Sequence, residues 1–316
     1  MAQNSKKVLV TGGAGFIGSN LVGRLLRLGY NVRVVDNFST GKRENIKEFL
    51  NYDNFEFIKG DLRSLNTCRK ITKGIEYIFH LAAIPSVQRS VEDPITSNES
   101  NVSGTLNLLV AARDEGHIKK LVYSSSSSVY GDLKKLPKSE NQPIGPISPY
   151  ALSKYAGERY CQIFYKIYNL PTICLRYFNV FGPNQNPNSQ YSAVIPKFVS
   201  SVIHKKQPII YGDGEQSRDF TYIDNVVEAN ILAAFSNVSG EVINIACNKR
   251  TSLNKILKII NHFLKTNVQP IYKPARVGDI KHSLADISKA KKLLKFNPKI
   301  SIEDGLKRFI FKILDK

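Results

Sequence analysis

Apolar positions along this chain fall into short unbroken runs, separated by stretches in which they recur every three or four residues. The runs KKVLVTG, NVRVVD, FEFIKGD, YIFHLAA and KLVYSSS read as strands, and FIGSNLVGRLL, TCRKITKG and NVSGTLNLLVAARDEG between them read as helices. The first helix runs through Gly18-Ser19-Asn20-Leu21 to Leu28, and a further helix is expected near Glu44 to Leu50. Strands that are apolar throughout suit a sheet buried on both faces, and the alternation with helices suits an α/β fold with a doubly wound parallel sheet. After LPTICLRYFNVFG the texture changes. PNQNPNSQYSAVIPKF reads as an irregular loop, followed by a helix (Ile195 to His204), a short strand (PIIYG), a helix (Asp224 to Phe235), a strand (EVINIAC) and terminal helices. This divides the chain into a first domain over 1–178, with return elements near 219–247, and a smaller α/β lobe mainly over 179–316.

Composition narrows the classes. With 316 residues, 42% of them hydrophobic, the chain can bury a large core, and disorder is excluded. No run reaches the length of a membrane span, and the sequence given enters a strand-like run almost at once, so a cytoplasmic protein without membrane partners is expected. Cys68, Cys161, Cys174 and Cys247 lie far apart without a CxxC pair, which suits reduced thiols and suggests no metal site. The net charge of +19 is extreme, yet its lysine pairs (Lys119-Lys120, Lys134-Lys135, Lys205-Lys206, Lys291-Lys292) are scattered and no nucleic-acid motif accompanies them. The remaining reading is a positive field that draws in a small anionic substrate.

The segment VLVTGGAGFIGSN places Gly12, Gly15 and Gly18 in a G-x-x-G-x-x-G pattern at the first strand-to-helix turn, with Phe16 and Ile17 inside it. Glycines there permit a tight turn and let backbone N–H groups approach a pyrophosphate at a helix N-terminus. Asp36, at the end of the second strand and followed by Asn37, can accept hydrogen bonds from a ribose and would repel a 2′-phosphate, which favours NAD over NADP.

Two further stretches carry candidate chemistry. LVYSSSSSVYGD holds five consecutive serines, Ser124 to Ser128, at the end of an apolar run. In SPYALSKYAGE, Ser148 can cap a helix and Pro149 suits its first position, which puts Tyr150 and Lys154 on one face. A helix N-terminus and an ammonium would push a phenol toward phenolate and make it a general base. Taken alone, a Tyr–Lys pair at this spacing is more often an accident of packing.

Together these motifs resemble the extended short-chain dehydrogenase/reductase family, and within it the nucleotide-sugar 4-epimerases. The resemblance covers almost the whole chain: TGGAGFIGSNL, Gly60-Asp61, HLAA, NVSGTLNLL, SSSSSVYGD, SPYALSK, LRYFNVFGP, GDGEQSRDFTYIDN and RVGD. It implies a Rossmann sheet holding NAD, with Ser126, Tyr150 and Lys154 as the catalytic set. Tyr150 would take the proton of the sugar 4-hydroxyl, Ser126 would hold the 4-oxygen, and Lys154 would bind the nicotinamide ribose. Reduction of the 4-keto sugar on its other face would complete the epimerisation. It further implies that Asp61 and Leu62 meet the adenine, that Leu81, Ala82 and Ala83 line the cofactor path, and that Asn101 and Phe178 lie near the nicotinamide. Ser127, Asn179, Ala193, Val194, Tyr211, Arg218, Arg276, Asp279 and Ser283 would contact the UDP-sugar, the arginines as forks on phosphate oxygens.

Related 4,6-dehydratases and decarboxylases carry acidic residues where this chain has Ser127 and Ser128, so both reactions are disfavoured. Asn179 fits neutral or N-acetylated hexoses better than uronates. Ser283, small at a gatekeeper position, and Ala193-Val194 are similar to enzymes that take N-acetylated sugars, which points to UDP-GlcNAc and UDP-GalNAc. Ile84-Pro85-Ser86 departs from the hexose epimerases, which often carry a lysine near Pro85. UDP-glucose and UDP-glucuronate 4-epimerases, and a non-catalytic NAD-binding regulator, are the alternatives. In related enzymes NVSGTLNLLVAARDEG and PYALSKYAGERYCQIFYKIY build an intersubunit four-helix bundle, which implies a homodimer.

Overall fold

The computed structural model describes residues 6–186, 194–275 and 281–315. Its first half alternates strands and helices: β1 (Lys7–Thr11), α1 (Phe16–Arg27), β2 (Asn31–Asp36), β3 (Phe55–Lys59), α2 (Leu65–Thr72) and β4 (Tyr77–His80). Then follow α3 (Val87–Glu92), α4 (Pro94–Asn98), α5 (Gly104–Glu115), β5 (Lys120–Ser126), α6 (Pro149–Tyr168) and β6 (Thr172–Tyr177). The second half contains β7 (Val180–Phe181), α7 (Val194–Ile203), β8 (Ile209–Tyr211), β9 (Ser217–Arg218), β10 (Thr221–Tyr222) and α8 (Ile223–Phe235). It ends with β11 (Val242–Ile245), β12 (Thr251–Ser252), α9 (Leu253–Leu264), β13 (Ile271–Lys273), α10 (Ser288–Leu294) and α11 (Ile302–Leu314).

Seven strands form one parallel sheet in the order β11-β6-β5-β4-β1-β2-β3. The order reverses between β1 and β4, and a crevice opens at the carboxyl ends of the strands there. Apolar residues of β1 and β5 face both ways: Val8, Val10 and Val122 join one core, and Leu9, Leu121 and Tyr123 join the other. That two-sided burial is the reason the strands read as continuous apolar runs. The strand β11 closes the sheet beside β6 although the chain has by then passed through α7 and β8. The remaining strands make three small two-stranded pairs, β7 with β10, β8 with β13 and β9 with β12.

The stretch 44–50 departs from the single helix expected of it. It forms two 3₁₀ turns, Arg43–Asn45 and Lys47–Phe49, joined at Ile46 with φ −120°. Ile46 and Phe49 are both buried three residues apart, the repeat of a 3₁₀ turn, while Asn45 is pulled away to hydrogen-bond the Ala14 carbonyl at 2.8 Å. A π turn over Glu99–Ser103 joins α4 to α5, with buried Asn101 inside it.

Candidate active site

The crevice between β1 and β4 encloses about 1060 Å³, open solvent at its mouth included. Its floor is the turn from β1 to α1. Gly12 has φ +69°, and a Cβ on Gly18 would stand 2.1 Å from the Gly12 carbonyl oxygen, so the helix begins that close to the strand only because residue 18 has no side chain. Gly15 is extended and caps α1 without any side-chain bond, so its first N–H groups have no side-chain cap, and Gly15 to Gly18 line the crevice. This cradle fits a pyrophosphate. Asp36 performs two tasks: Oδ2 accepts the Ala14 N–H at 3.0 Å and Oδ1 accepts the Phe38 N–H at 2.8 Å, which tie it to the turn while it lines the crevice. Burial pushes its carboxyl upward, against those backbone hydrogen bonds.

Fourteen of the expected cofactor residues line this crevice: Gly12, Gly15, Phe16, Ile17, Gly18, Asp36, Asn37, Asp61, Leu62, Leu81, Ala82, Ala83, Tyr150 and Lys154. Asn101 and Phe178 do not. Asn101 stands behind Ile84, accepting its N–H at 2.7 Å and donating to its carbonyl at 3.1 Å, so it shapes the wall from the rear. Phe178 is fully buried against Tyr130, with ring centroids 6.2 Å apart. Seven other lining residues were not assigned from sequence: Val35, Ser39, Thr40, Gly60, Ile84, Pro85 and Ser100. They carry no distinctive chemistry; their signal is that most of them follow a strand end. Ser124 lines the crevice as well.

At the inner end, β5 and α6 bring the catalytic candidates together. Ser148 caps α6 by accepting the Ala151 N–H at 3.1 Å. The phenol of Tyr150 comes close enough to Ser126 to have its pKa drawn down by it, and Ser126 Oγ is held by Ser128, whose N–H and hydroxyl approach it at 3.2 and 2.9 Å. Lys154 Nζ donates to the Ser124 carbonyl at 2.8 Å and sits 5.1 Å from the centre of the Tyr123 ring. The helix lies this near β5 because residue 157 is glycine: a Cβ there would be 2.1 Å from the Tyr123 hydroxyl. Burial pulls the Lys154 ammonium down to about 8, partly offset by Cys161 and Glu158. Tyr150 differs from expectation. Burial pushes its phenol up, and Ser126 only partly counters this, so the protein alone keeps it protonated. His80, buried between Thr11 and Thr105 at 2.8 and 2.9 Å, is driven down to about 3 by burial and by Lys154, and is a neutral strut joining β1, β4 and α5.

The expected sugar contacts are spread over several segments, most of them in the second half. Ser127 opens a 3₁₀ turn, Ser127–Tyr130, after β5. Asn179 sits at φ 37° between β6 and β7, its amide donating to the Asp219 carbonyl at 3.4 Å. Val194 begins α7, and Tyr211 ends β8. Arg218 donates to the carbonyls of Ser217 and Lys281, both at 3.0 Å. Ser283 is buried on a segment whose N–H donates to the Ser217 carbonyl at 3.0 Å. Asp219 anchors that segment, its carboxylate accepting the N–H groups of Cys247 at 2.9 Å and Ala285 at 3.2 Å; burial pushes it up to about 6. Ala193, Arg276 and Asp279 lie outside the described residues. Among the described residues no group of His, Cys, Asp and Glu could hold a metal ion, and no helix is long and apolar enough to cross a membrane.

Residues 8–246 match the model of the NAD dependent epimerase/dehydratase family. The chain is 43% identical, with a TM-score of 0.94, to the structure of a UDP-N-acetylglucosamine 4-epimerase from Methanobrevibacter ruminantium in complex with UDP-N-acetylmuramic acid, covering 98% of this chain and 99% of that one. It is 40% identical over 305 residues to a putative UDP-glucose 4-epimerase of Methanocaldococcus jannaschii, covering 96% of this chain and 97% of the relative. A UDP-glucuronic acid 4-epimerase from Bacillus cereus, solved with UDP-glucuronic acid and NAD, is 35% identical with a TM-score of 0.90, covering 98% and 99%. A Rossmann sheet, a glycine cradle with Asp36 at its edge, and relatives of this similarity along the full chain lead to one statement: the chain is an NAD-using enzyme of the UDP-sugar 4-epimerases, and it belongs to the NAD-dependent epimerase/dehydratase family.

Proposed function

We propose that the protein interconverts UDP-GlcNAc and UDP-GalNAc by inverting carbon 4 through a 4-keto intermediate. The observation that carries the chemistry is the convergence of Tyr150 and Lys154 at the inner end of the crevice, with Ser126 near the phenol and Lys154 on the Ser124 carbonyl. When bound, NAD supplies the hydride acceptor and a positive ring beside the phenol. Tyr150 is placed to take the proton of the 4-hydroxyl, and Ser126 to hold the oxygen before and after. Lys154 holds a ribose and keeps positive charge near the phenol. No acidic pair stands in the serine run to expel water or assist decarboxylation, so the chemistry returns from the ketone.

The N-acetyl preference rests on Ser283. A small side chain on the segment beside Arg218 leaves room for a 2-acetamido group, and the similarity to the Methanobrevibacter enzyme supports the same reading. Purified protein incubated with UDP-GlcNAc should yield UDP-GalNAc. Turnover of UDP-glucose or UDP-glucuronate without UDP-GlcNAc would remove the N-acetyl preference, and turnover of none of the three would remove the epimerase reading. Leu152, Ile163 and Ile167 of α6 stand exposed, which supports a homodimer through this helix; light scattering should return twice the chain mass, and a monomer would refute it.

A further inference from the structure

Four residues beyond Lys154 on the same face of α6, Glu158 is 1% exposed. Its Oε1 accepts from the Ser125 hydroxyl and from Arg176 Nε at 2.8 Å, and its Oε2 accepts from Arg176 Nη2 at 2.8 Å. Arg176, on β6, is 3% exposed and lies 4.7 Å from the centre of the Tyr130 ring, while its Nη1 has no hydrogen-bond partner. Ser125 immediately precedes Ser126 on β5, and Tyr130 closes the turn that follows Ser126. One carboxylate therefore fastens α6 to the ends of both β5 and β6.

Burying two charges costs desolvation that apolar packing would avoid, so the pair is poorly explained as a source of stability. What it provides is direction. A bidentate fork fixes both rotation and translation of the helix, where an apolar contact tolerates slippage. Tyr150, Lys154 and Glu158 recur at intervals of four, so any slip of α6 along β5 is transmitted directly to the separation of Tyr150 and Ser126.

We propose that Glu158, clamped by Arg176 and Ser125, is a positioning residue of this site: it fixes the register of α6 against β5, and thereby Tyr150 against Ser126, and it sets a negative charge beside Lys154. The groups around Lys154 are Tyr150, Glu158 and Cys161 on its own helix, Tyr123 on β5 and neutral His80 on β4. Those around Glu158 are Arg176 and Cys174 on β6, with Tyr123 on β5.

The turnover part of the test rests on the epimerase reading; the titration part does not. Glu158→Gln keeps the size and removes the charge, and Glu158→Gln/Arg176→Gln leaves no unpaired buried cation, so it keeps the question open if the single variant fails to fold. The double variant should lose about 100-fold in kcat, with KM within about threefold of wild type and NAD still bound. The ammonium is lost as pH rises through the Lys154 value of about 8. Without the Glu158 charge the ammonium is held less well, so the alkaline limb of kcat should move down by about one pH unit. Lysine ¹³Cε NMR, with the Lys154 signal assigned through Lys154→Arg, should show the same shift without turnover. A folded double variant with kcat within about twofold of wild type would reduce the clamp to structural support, as would an unmoved Lys154 titration in a folded Glu158→Gln. If wild type turns over no UDP-sugar, the epimerase reading fails, and the lysine titration still decides the clamp.

Discussion

The crevice beside β1 is made mostly of backbone, whereas the sugar contacts expected in the second half of the chain are side chains carried on separate segments. At the first end Gly12 and Gly18 bring helix and strand into contact, and Asp36 is bonded to the turn it serves. At the second, Asn179, Arg218 and Ser283 come from three separate segments held together by Asp219 and carbonyl contacts. Backbone recognition suits a partner that never changes. A loop-borne set of side chains can be altered one residue at a time, which fits a family whose relatives differ in the sugar they take.

The comparison can be broken at three points. Tyr150→Phe acts where the two ends meet and should reduce kcat by about 10³-fold, the scale of general base catalysis, while NAD stays bound. Normal rates by coupled assay would dismiss the base. Gly18→Ala acts on the backbone end, where the added methyl would stand 2.1 Å from the Gly12 oxygen and force the turn open. Binding of NAD should weaken about 100-fold by calorimetry; unchanged affinity would show that the turn yields freely. Ser283→Tyr acts on the side-chain end, where specificity and not activity should move. The ratio of kcat/KM for UDP-GlcNAc over UDP-glucose should fall about 30-fold, and an unchanged ratio would place Ser283 away from the sugar.

The sheet and the glycine turn were legible in the sequence because they depend on local rules: apolar runs mark buried strands, and glycine spacing marks a turn without side chains. The cluster Ser126, Tyr150 and Lys154 was legible as motifs, but its protonation was not, since burial of the Tyr150 phenol depends on how α6 lies on β5. The ion pair of Glu158 and Arg176 escaped notice for the same reason. In sequence each is an ordinary charge on an amphipathic segment, and only the packing of α6 on β6 makes them partners. Asn101 was expected near the nicotinamide, but its clasp on the Ile84 backbone was not legible, because it depends on the π turn around it.

The position of β11 has a consequence for how the chain is made. During synthesis β6 emerges with its outer edge bare, and it stays so until residues 178–241 have followed and β11 arrives to pair with it. A fragment cut after Tyr177 would carry that apolar edge permanently, an invitation to stray strands. The nucleotide-holding half therefore cannot be completed on the ribosome before most of its neighbour exists, and the two halves must mature as one piece.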